Sequence, residues 1–258
     1  MVFYKGGYLM LNIILNGCFG RMGEELQNEI KKREDLSVVA GIDRNQQKVD
    51  FPVYQTLADV KETADFVIDF SHESSVSKLI EQCVQKNLPV VIATTGLSEN
   101  TQQKMKEASH TIPIFYSANM SLGINVLIEA LQKITPALED DFNIEIVEKH
   151  HNQKKDAPSG TALLLADSIN DASQTKKDYV FGRSGKENSN PIDEMGIHAV
   201  RGGTIPGEHT VIYAGNDEVI EFKHTALSRR IFANGALKAG LFLQDQDPGM
   251  YSMSDLLK

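Results

Sequence analysis

Gly17-Cys18-Phe19-Gly20-Arg21-Met22-Gly23 follows the apolar run Leu11 to Leu15 and leads into a helical stretch from Glu24 to Lys32. A glycine-rich turn between a strand and a helix brings backbone N–H groups to the positive end of the helix dipole, where a pyrophosphate binds. The spacing here is Gly-x-x-Gly-x-x-Gly rather than Gly-x-Gly-x-x-Gly, so the turn alone also suits a strand merely closing against a helix. Asp43 adds weight to the first reading. It lies 20 residues beyond Gly23, at the end of the apolar run Leu36 to Ile42, where an acidic side chain can accept from an adenosine ribose hydroxyl. Arg44 beside it, or Arg21 in the turn, could meet a 2′-phosphate instead. Together these residues predict a dinucleotide site for NADH or NADPH, with both coenzymes used.

Beyond this turn the strand–helix alternation continues. Phe66 to Phe70, Pro89 to Ala93 and Ile112 to Tyr116 read as buried strands, with helices around Ser75 to Gln85 and Glu99 to Ala108 between them. Apolar strands separated by helices of this length form right-handed βαβ units and a parallel sheet. After Met120 the pattern changes. A helix around Gly123 to Leu138 leads to the alternating segment Asn143 to Val147, and strand-like runs follow at Gly196 to Arg201, Glu208 to Ala214 and Val219 to His224, the last two joined by a tight turn at Asn216-Asp217. The fold class is therefore α/β: a Rossmann-like, doubly wound parallel sheet with a second α+β domain carrying a mixed sheet. The boundaries fall at 1–121, completed by 231–258, for the dinucleotide-binding domain, and at 122–230 for substrate binding and oligomerisation. A last helix near Arg229 to Leu243 returns to the first domain. Lys176 to Asn190, polar and glycine-containing, reads as a mobile loop. Met1 to Leu9 read as an upstream extension without function.

The 258 residues suit two modest domains, and 41% hydrophobic residues with no low-complexity run exclude a disordered chain. A net charge of −9 and a pI near 5.3 argue against a nucleic-acid partner, which calls for a basic face. No stretch approaches the roughly 20 apolar residues that span a bilayer, and no basic-plus-apolar leader opens the chain, so no membrane association and a cytoplasmic location are expected. Cys18 and Cys83 form neither a disulfide framework nor a ligand cluster, and read as a small loop residue and a helix-face core residue.

The second chemical feature is Glu148-Lys149-His150-His151-Asn152-Gln153-Lys154-Lys155-Asp156-Ala157-Pro158-Ser159-Gly160-Thr161-Ala162, set between the strand ending near Val147 and a helix through Leu163 to Ile169. The histidines sit where the strand runs out. Ser159 is an N-cap candidate, and the first-turn N–H groups at Gly160 and Thr161 would attract a carboxylate or phosphate. Acid/base side chains, an amine and an anion-binding helix start in one stretch are what an anionic substrate needing a proton requires.

At these residues the chain resembles the dihydrodipicolinate reductases. The resemblance includes Gly17 to Gly23, Ala93-Thr94-Thr95-Gly96 and Ser117-Ala118-Asn119-Met120-Ser121, and extends from Leu11 through nearly the whole chain; Phe19 and Ala93 stand where many relatives have a small residue or glycine. It implies hydride transfer from NADH or NADPH to a small cyclic dicarboxylate, in lysine biosynthesis by the diaminopimelate route, and a homotetramer. It assigns His150 as general acid/base and Lys154 as proton donor, and gives His151, Lys154, Ser159, Gly160 and Thr161 to the substrate carboxylate. Gly17, Cys18, Phe19, Gly20, Arg21, Met22, Asp43 and Arg44 would hold the nucleotide. Ala93, Thr94, Thr95, Ser117, Ala118, Asn119 and Met120 would approach its nicotinamide and ribose.

Blander readings stand beside these. His72, His110, His198, His209 and His224 read as surface or packing residues, Lys155 as background, and Arg201-Gly202-Gly203-Thr204 as either a ligand contact or a turn. Adjacent His150 and His151 point to opposite faces if they lie on a strand, and no third ligand stands at zinc spacing, so no metal is expected. A semialdehyde dehydrogenase would need a nucleophilic cysteine beyond the first domain, where there is none. A non-catalytic nucleotide sensor would have no use for His150 and Lys154 together.

Overall fold

The fold is taken from a computed structural model of the chain, which describes residues 4–5, 8–186 and 191–258, with 4–5 and 8–9 described by backbone alone. The expectation that Met1 to Leu9 are a functionless extension falls in part outside the described residues; within them, β1 (Tyr4–Lys5) and β2 (Tyr8–Leu9) pair antiparallel.

The chain forms two compact units, residues Met1–Leu122 with Arg229–Lys258, and Gly123–Ser228. In the first, β3 (Leu11–Asn16), α1 (Arg21–Ile30), β4 (Leu36–Ile42), β5 (Val53–Tyr54), β6 (Phe66–Asp69), α2 (Glu73–Lys86), β7 (Val90–Ile92), α3 (Glu99–Ala108) and β8 (Pro113–Tyr116) follow in order. The second unit contains α4 (Leu122–Leu138), β9 (Asn143–His150), α5 (Gly160–Ala172), β10 (Asp178–Phe181), β11 (Glu194–Arg201), β12 (Glu208–Ala214) and β13 (Val219–Thr225). The chain then returns to the first unit with α6 (Arg230–Phe242), β14 (Gly249–Tyr251) and α7 (Met253–Leu256).

The sheet of the first unit runs β14-β8-β7-β6-β3-β4-β5, every pair parallel. Its strands are buried on both faces, which explains their unbroken apolar runs. Ile13, Leu15, Phe66 and Ile68 face α1 and α6, where Leu26, Ala236 and Leu237 lie, while the alternate residues Ile14 and Val67 face α2 and α3 through Leu79, Ile80 and Met105. Close approach of α6 depends on glycine: a Cβ at Gly240 would stand 2.1 Å from the Phe66 ring, and one at Gly235 would overlap the Met120 carbonyl. Strand order reverses between β3 and β6, so the loops after these two strands form the switch point where open α/β sheets bind ligands.

In the second unit the sheet runs β10-β11-β9-β12-β13, with β10, β11 and β9 parallel and β12 and β13 antiparallel. The mixed sheet matches the fold class read from the sequence. Leu127 and Leu131 of α4 and Leu165, Ala166 and Ile169 of α5 cover one face through Ile144, Ile146, Met195, Ile197, Val211 and Tyr213. Asp217 takes the left-handed conformation (φ 62°) in the β12–β13 turn.

Two local expectations need correction. The stretch 176–190 was expected to be a mobile loop, yet it contains β10, and residues 187–190 lie outside the described part. Lys177, just before β10, is clamped: Asn170 of α5 accepts its N–H at 2.9 Å and donates to its carbonyl at 3.0 Å, and the buried Lys177 amine reaches the Ile192 carbonyl at 2.6 Å. Second, β9 does not end near Val147 but continues to His150, because its ladders with β11 (Arg201↔His150) and β12 (Glu208↔Lys149) persist to the end.

Candidate active site

The turn after β3 is built by backbone. Gly17 takes a φ of +80°, and a Cβ there would lie 2.6 Å from the Phe70 carbonyl oxygen; one at Gly23 would lie 2.3 Å from the Gly17 oxygen. Gly20 is the N-cap of α1 and supplies no side-chain cap, leaving that helix start to other acceptors. Asp43 lies against this turn, its Oδ2 accepting the Phe19 N–H (3.1 Å) and its Oδ1 the Asn45 N–H (3.0 Å). Cys18 is buried, and burial together with the Asp43 charge pushes its thiol up to about 11, so it can contribute backbone but no thiolate. Arg21 and Arg44 are exposed.

The loops after β6, β7 and β8 lie at the same strand ends. Asp69, fully buried, accepts from Asn16 Nδ2 (2.6 Å) and Ser71 Oγ (2.5 Å) through Oδ1 and from Thr94 Oγ1 (2.6 Å) through Oδ2. Burial raises its pKa, and the hydrogen bonds oppose that rise. The Thr94 hydroxyl, expected near a ligand, thus joins the Asp69 network and also accepts the Ser71 N–H (3.0 Å). Thr95 and Ala118 are exposed, and Ala93, Asn119 and Met120 are buried. Ser117 closes a tight turn, accepting from Asn119 N (3.2 Å) and donating to Asn119 O (2.8 Å). Sequence reading missed Asp69, although an acidic residue ending an apolar strand was a visible signal.

In the second unit the sheet brings together residues far apart in sequence. Glu148 has no exposed side-chain surface, and its carboxylate receives four donors: His150 Nδ1 (2.6 Å) and Arg201 Nη1 (2.7 Å) on Oε2, and Ser159 N–H (2.9 Å) and Arg201 Nη2 (2.7 Å) on Oε1. Burial pushes its pKa up, but Arg201, His150 and Ser159 outweigh this and hold it below the usual range. Ser159 caps α5, its Oγ accepting the Ala162 N–H (3.2 Å) and lying 2.9 Å from His209 Nε2. His209 packs edge-on against His150 with ring centroids 5.2 Å apart, and burial followed by the nearby His150 lowers its pKa to about 4. Lys154 pairs with Asp156 at 2.9 Å. His151 and Thr161 are partly buried, and Gly160 and Lys155 are exposed. His209, expected to be a surface or packing residue, is thus a buried neighbour of the site, and Arg201 is the anchor of a buried carboxylate. Both lie 45 or more residues from the motif residues they touch, Glu148, Asp156 and Ser159, and strand pairing makes them neighbours.

Among the described residues no group of three or more His, Cys, Asp or Glu could hold a metal ion, and no helix is long and apolar enough to cross a membrane. Residues 11–120 match the family model described as dihydrodipicolinate reductase, N-terminus, and residues 123–257 the one described as dihydrodipicolinate reductase, C-terminus. The chain belongs to the dihydrodipicolinate reductase family. A 4-hydroxy-tetrahydrodipicolinate reductase of Caldanaerobacter subterraneus subsp. tengcongensis is 54% identical over 97% of this chain and 99% of its own length. One of the same name from Clostridium tetani is 49% identical over 97% and 98%. A dihydrodipicolinate reductase from Paenisporosarcina sp. TG-14, solved with dipicolinate bound, shares the fold with a TM-score of 0.79 over 95% of this chain and 98% of that one, at 21% identity. The dihydrodipicolinate reductase family is one of oxidoreductases.

Proposed function

We propose that the β9–α5 segment is where this protein carries out its family's reaction, the NAD(P)H-dependent reduction of 4-hydroxy-tetrahydrodipicolinate in the diaminopimelate route to lysine. The observation that carries this reading is the shared Glu148 carboxylate. One oxygen holds the ring of His150 and the other the N–H of Ser159 at the start of α5, so an acid/base group and an anion-binding helix start are neighbours. Dipicolinate bound to the solved relative supports a cyclic dicarboxylate as the substrate class.

The turn Gly17 to Gly23 fits a dinucleotide pyrophosphate, since Gly17 and Gly23 let the chain close tightly from β3 into α1 and the helix start at Gly20 carries no side-chain cap. Gly17, Cys18, Phe19, Gly20, Arg21 and Met22 would hold it. Asp43 has lone pairs beyond the two it uses for Phe19 and Asn45, so it can still accept from a ribose hydroxyl, while Arg44 suits a 2′-phosphate. Ala93, Thr94, Thr95 and Ser117 to Met120 would lie toward the nicotinamide, which supplies the hydride. Both NADH and NADPH are accepted in this reading.

Hydride addition leaves negative charge beside the ring nitrogen, and one proton enters as one water leaves. His150 acts as general acid/base and Lys154 as the proton donor, its ammonium also stabilising the charge as it forms. His151, Lys154, Ser159, Gly160 and Thr161 hold a substrate carboxylate. Among the described residues α4 and α5 cover one face of the second unit's sheet, and exposed Val200 and Val219 on its strands support a homotetramer assembled through this unit. Free, buried Cys18 and Cys83 suit the cytoplasm.

The decisive experiment follows loss of NADH and NADPH absorbance with freshly prepared substrate. Oxidation that requires substrate supports the assignment, and a protein that binds nucleotide but oxidises none would overturn it.

A further inference from the structure

We propose that Glu148, anchored by Arg201, is a positioning residue that selects the proton-bearing nitrogen of His150. The inference rests on the reading of His150 as the acid/base group. A carboxylate held ionised can only accept, so the contact at 2.6 Å requires the hydrogen on His150 Nδ1. His150 Nε2 is then the atom that exchanges a proton. It points to the side of Gly207, where a Cβ would approach within 3.1 Å. A side chain at 207 would crowd the working nitrogen.

Stability alone is a poor explanation for this arrangement. A buried Arg–carboxylate pair is often no more stable than apolar residues of the same volume, and here Arg201 Nε is buried with no hydrogen-bond partner among the described residues. What the pair supplies is geometry and charge balance. Both guanidinium Nη atoms grip Glu148 in a fork, and Nη2 continues to the Asp156 carbonyl (2.6 Å), tying the loop between β9 and α5 to β11. The same fork offsets the Glu148 charge, which would otherwise repel an anionic substrate from the start of α5. The charged or titratable groups against His150 are Glu148 on β9 and His209 on β12; Arg201 on β11 reaches it through Glu148, and Lys154 and His224 act on His209.

Glu148→Gln is the informative change. Arg201 donates to both oxygens, so the amide must turn its NH₂ toward a donor on one side or leave His150 without its acceptor. The expected result is a fall in kcat of about 10- to 100-fold with nucleotide affinity unchanged, as for other residues that orient a functional histidine. Nitrogen-15 NMR of the His150 ring should report the Nδ1–H form in the native protein and its loss in the variant. A thermodynamic cycle separates this role from a structural one. In a His150→Ala background, Glu148→Gln should cause no further fall in kcat, although substrate KM rises in both backgrounds through Ser159.

Native kcat in Glu148→Gln, an unchanged His150 tautomer, or an equal loss of kcat in both backgrounds would overturn the proposal. Native turnover in His150→Ala would instead overturn the acid/base reading beneath it. Should Glu148→Gln not fold, Arg201→Lys keeps the charge, loses the fork and is read by the same three measurements.

Discussion

The two units build their candidate sites beside a helix start by opposite means. After β3 the helix start is uncapped and the turn is shaped by glycines whose missing Cβ atoms would meet backbone at Phe70, Gly17 and Cys18. Before α5 the helix start is capped by Ser159, and the loop is shaped by side chains converging on the buried Glu148. In the proposed reading the first site offers shape to a phosphate that any dinucleotide carries. The second offers titratable groups at fixed places, as a reaction with a proton requirement demands.

The contrast is sharpest in kinetics. His150→Ala should lower kcat by about 10²–10⁴-fold and leave NADH affinity nearly unchanged, because it removes acid/base help from the second unit alone. Lys154→Ala should lower kcat and also raise substrate KM if, as proposed, the amine serves both ground and transition states. The double variant should be less impaired than the product of the single effects if both act on one proton-transfer step. Steady-state kinetics with nucleotide titrations on the four proteins decide it; strict multiplicativity would remove the shared step.

Gly23→Ala breaks the other side. A Cβ 2.3 Å from Gly17 O and 2.5 Å from Cys18 O meets backbone that has nowhere to go, so the turn must deform. We expect a loss of about 1–3 kcal/mol in stability, read as a lower thermal midpoint, together with NADH binding weakened at least about 10-fold. Unchanged nucleotide binding would show that the tight turn serves packing alone.

The second site is also tuned against acid. Burial holds His209 near pKa 4, below its unfolded value near 6.5, so in the window between these values the unfolded chain takes up a proton that the folded chain refuses. Stability is therefore complete above about pH 6.5 and falls as pH drops toward 4, by roughly 2 kcal/mol between pH 7 and pH 5. His224, lowered by burial as well, acts in the same direction, whereas the lowered carboxylate of Glu148 matters only in more acid solution. His209→Gln should flatten the dependence of the thermal midpoint on pH across this window. An unaltered slope would mean that His209 is not held neutral.

What could be read beforehand follows from the same contrast. The doubly wound sheet was legible because strands buried on both faces leave continuous apolar runs such as Phe66 to Ile68, and the glycine turn because its chemistry is backbone and hence local. The motif Glu148 to Ala162 was legible as a string of residue types. Its organisation was not: Arg201 and His209 reach Glu148 and Ser159 through the β11–β9 and β9–β12 ladders, and no local pattern encodes a ladder partner 50 residues away. Likewise β10 was hidden because the polar stretch containing Lys177 looked solvated, when Lys177 is hydrogen-bonded to Asn170 of α5 and to the Ile192 carbonyl.

Asp43 lies where the two strategies overlap, a side chain serving a backbone-built turn. It holds the Phe19 N–H at 3.1 Å, so Asp43→Ala should loosen the turn for either coenzyme and raise both Michaelis constants a few-fold, as expected for one hydrogen bond to a charged acceptor. If Asp43 also accepts from the ribose, NADH loses that contact, while NADPH, with its phosphate available to Arg44, loses less. The KM for NADH should then rise by about 3–10-fold more than the KM for NADPH. The difference between the two ratios, rather than either rise alone, carries the information. Equal rises would make Asp43 an anchor of the glycine turn with no ribose contact, and the first site would then read its ligand through backbone alone.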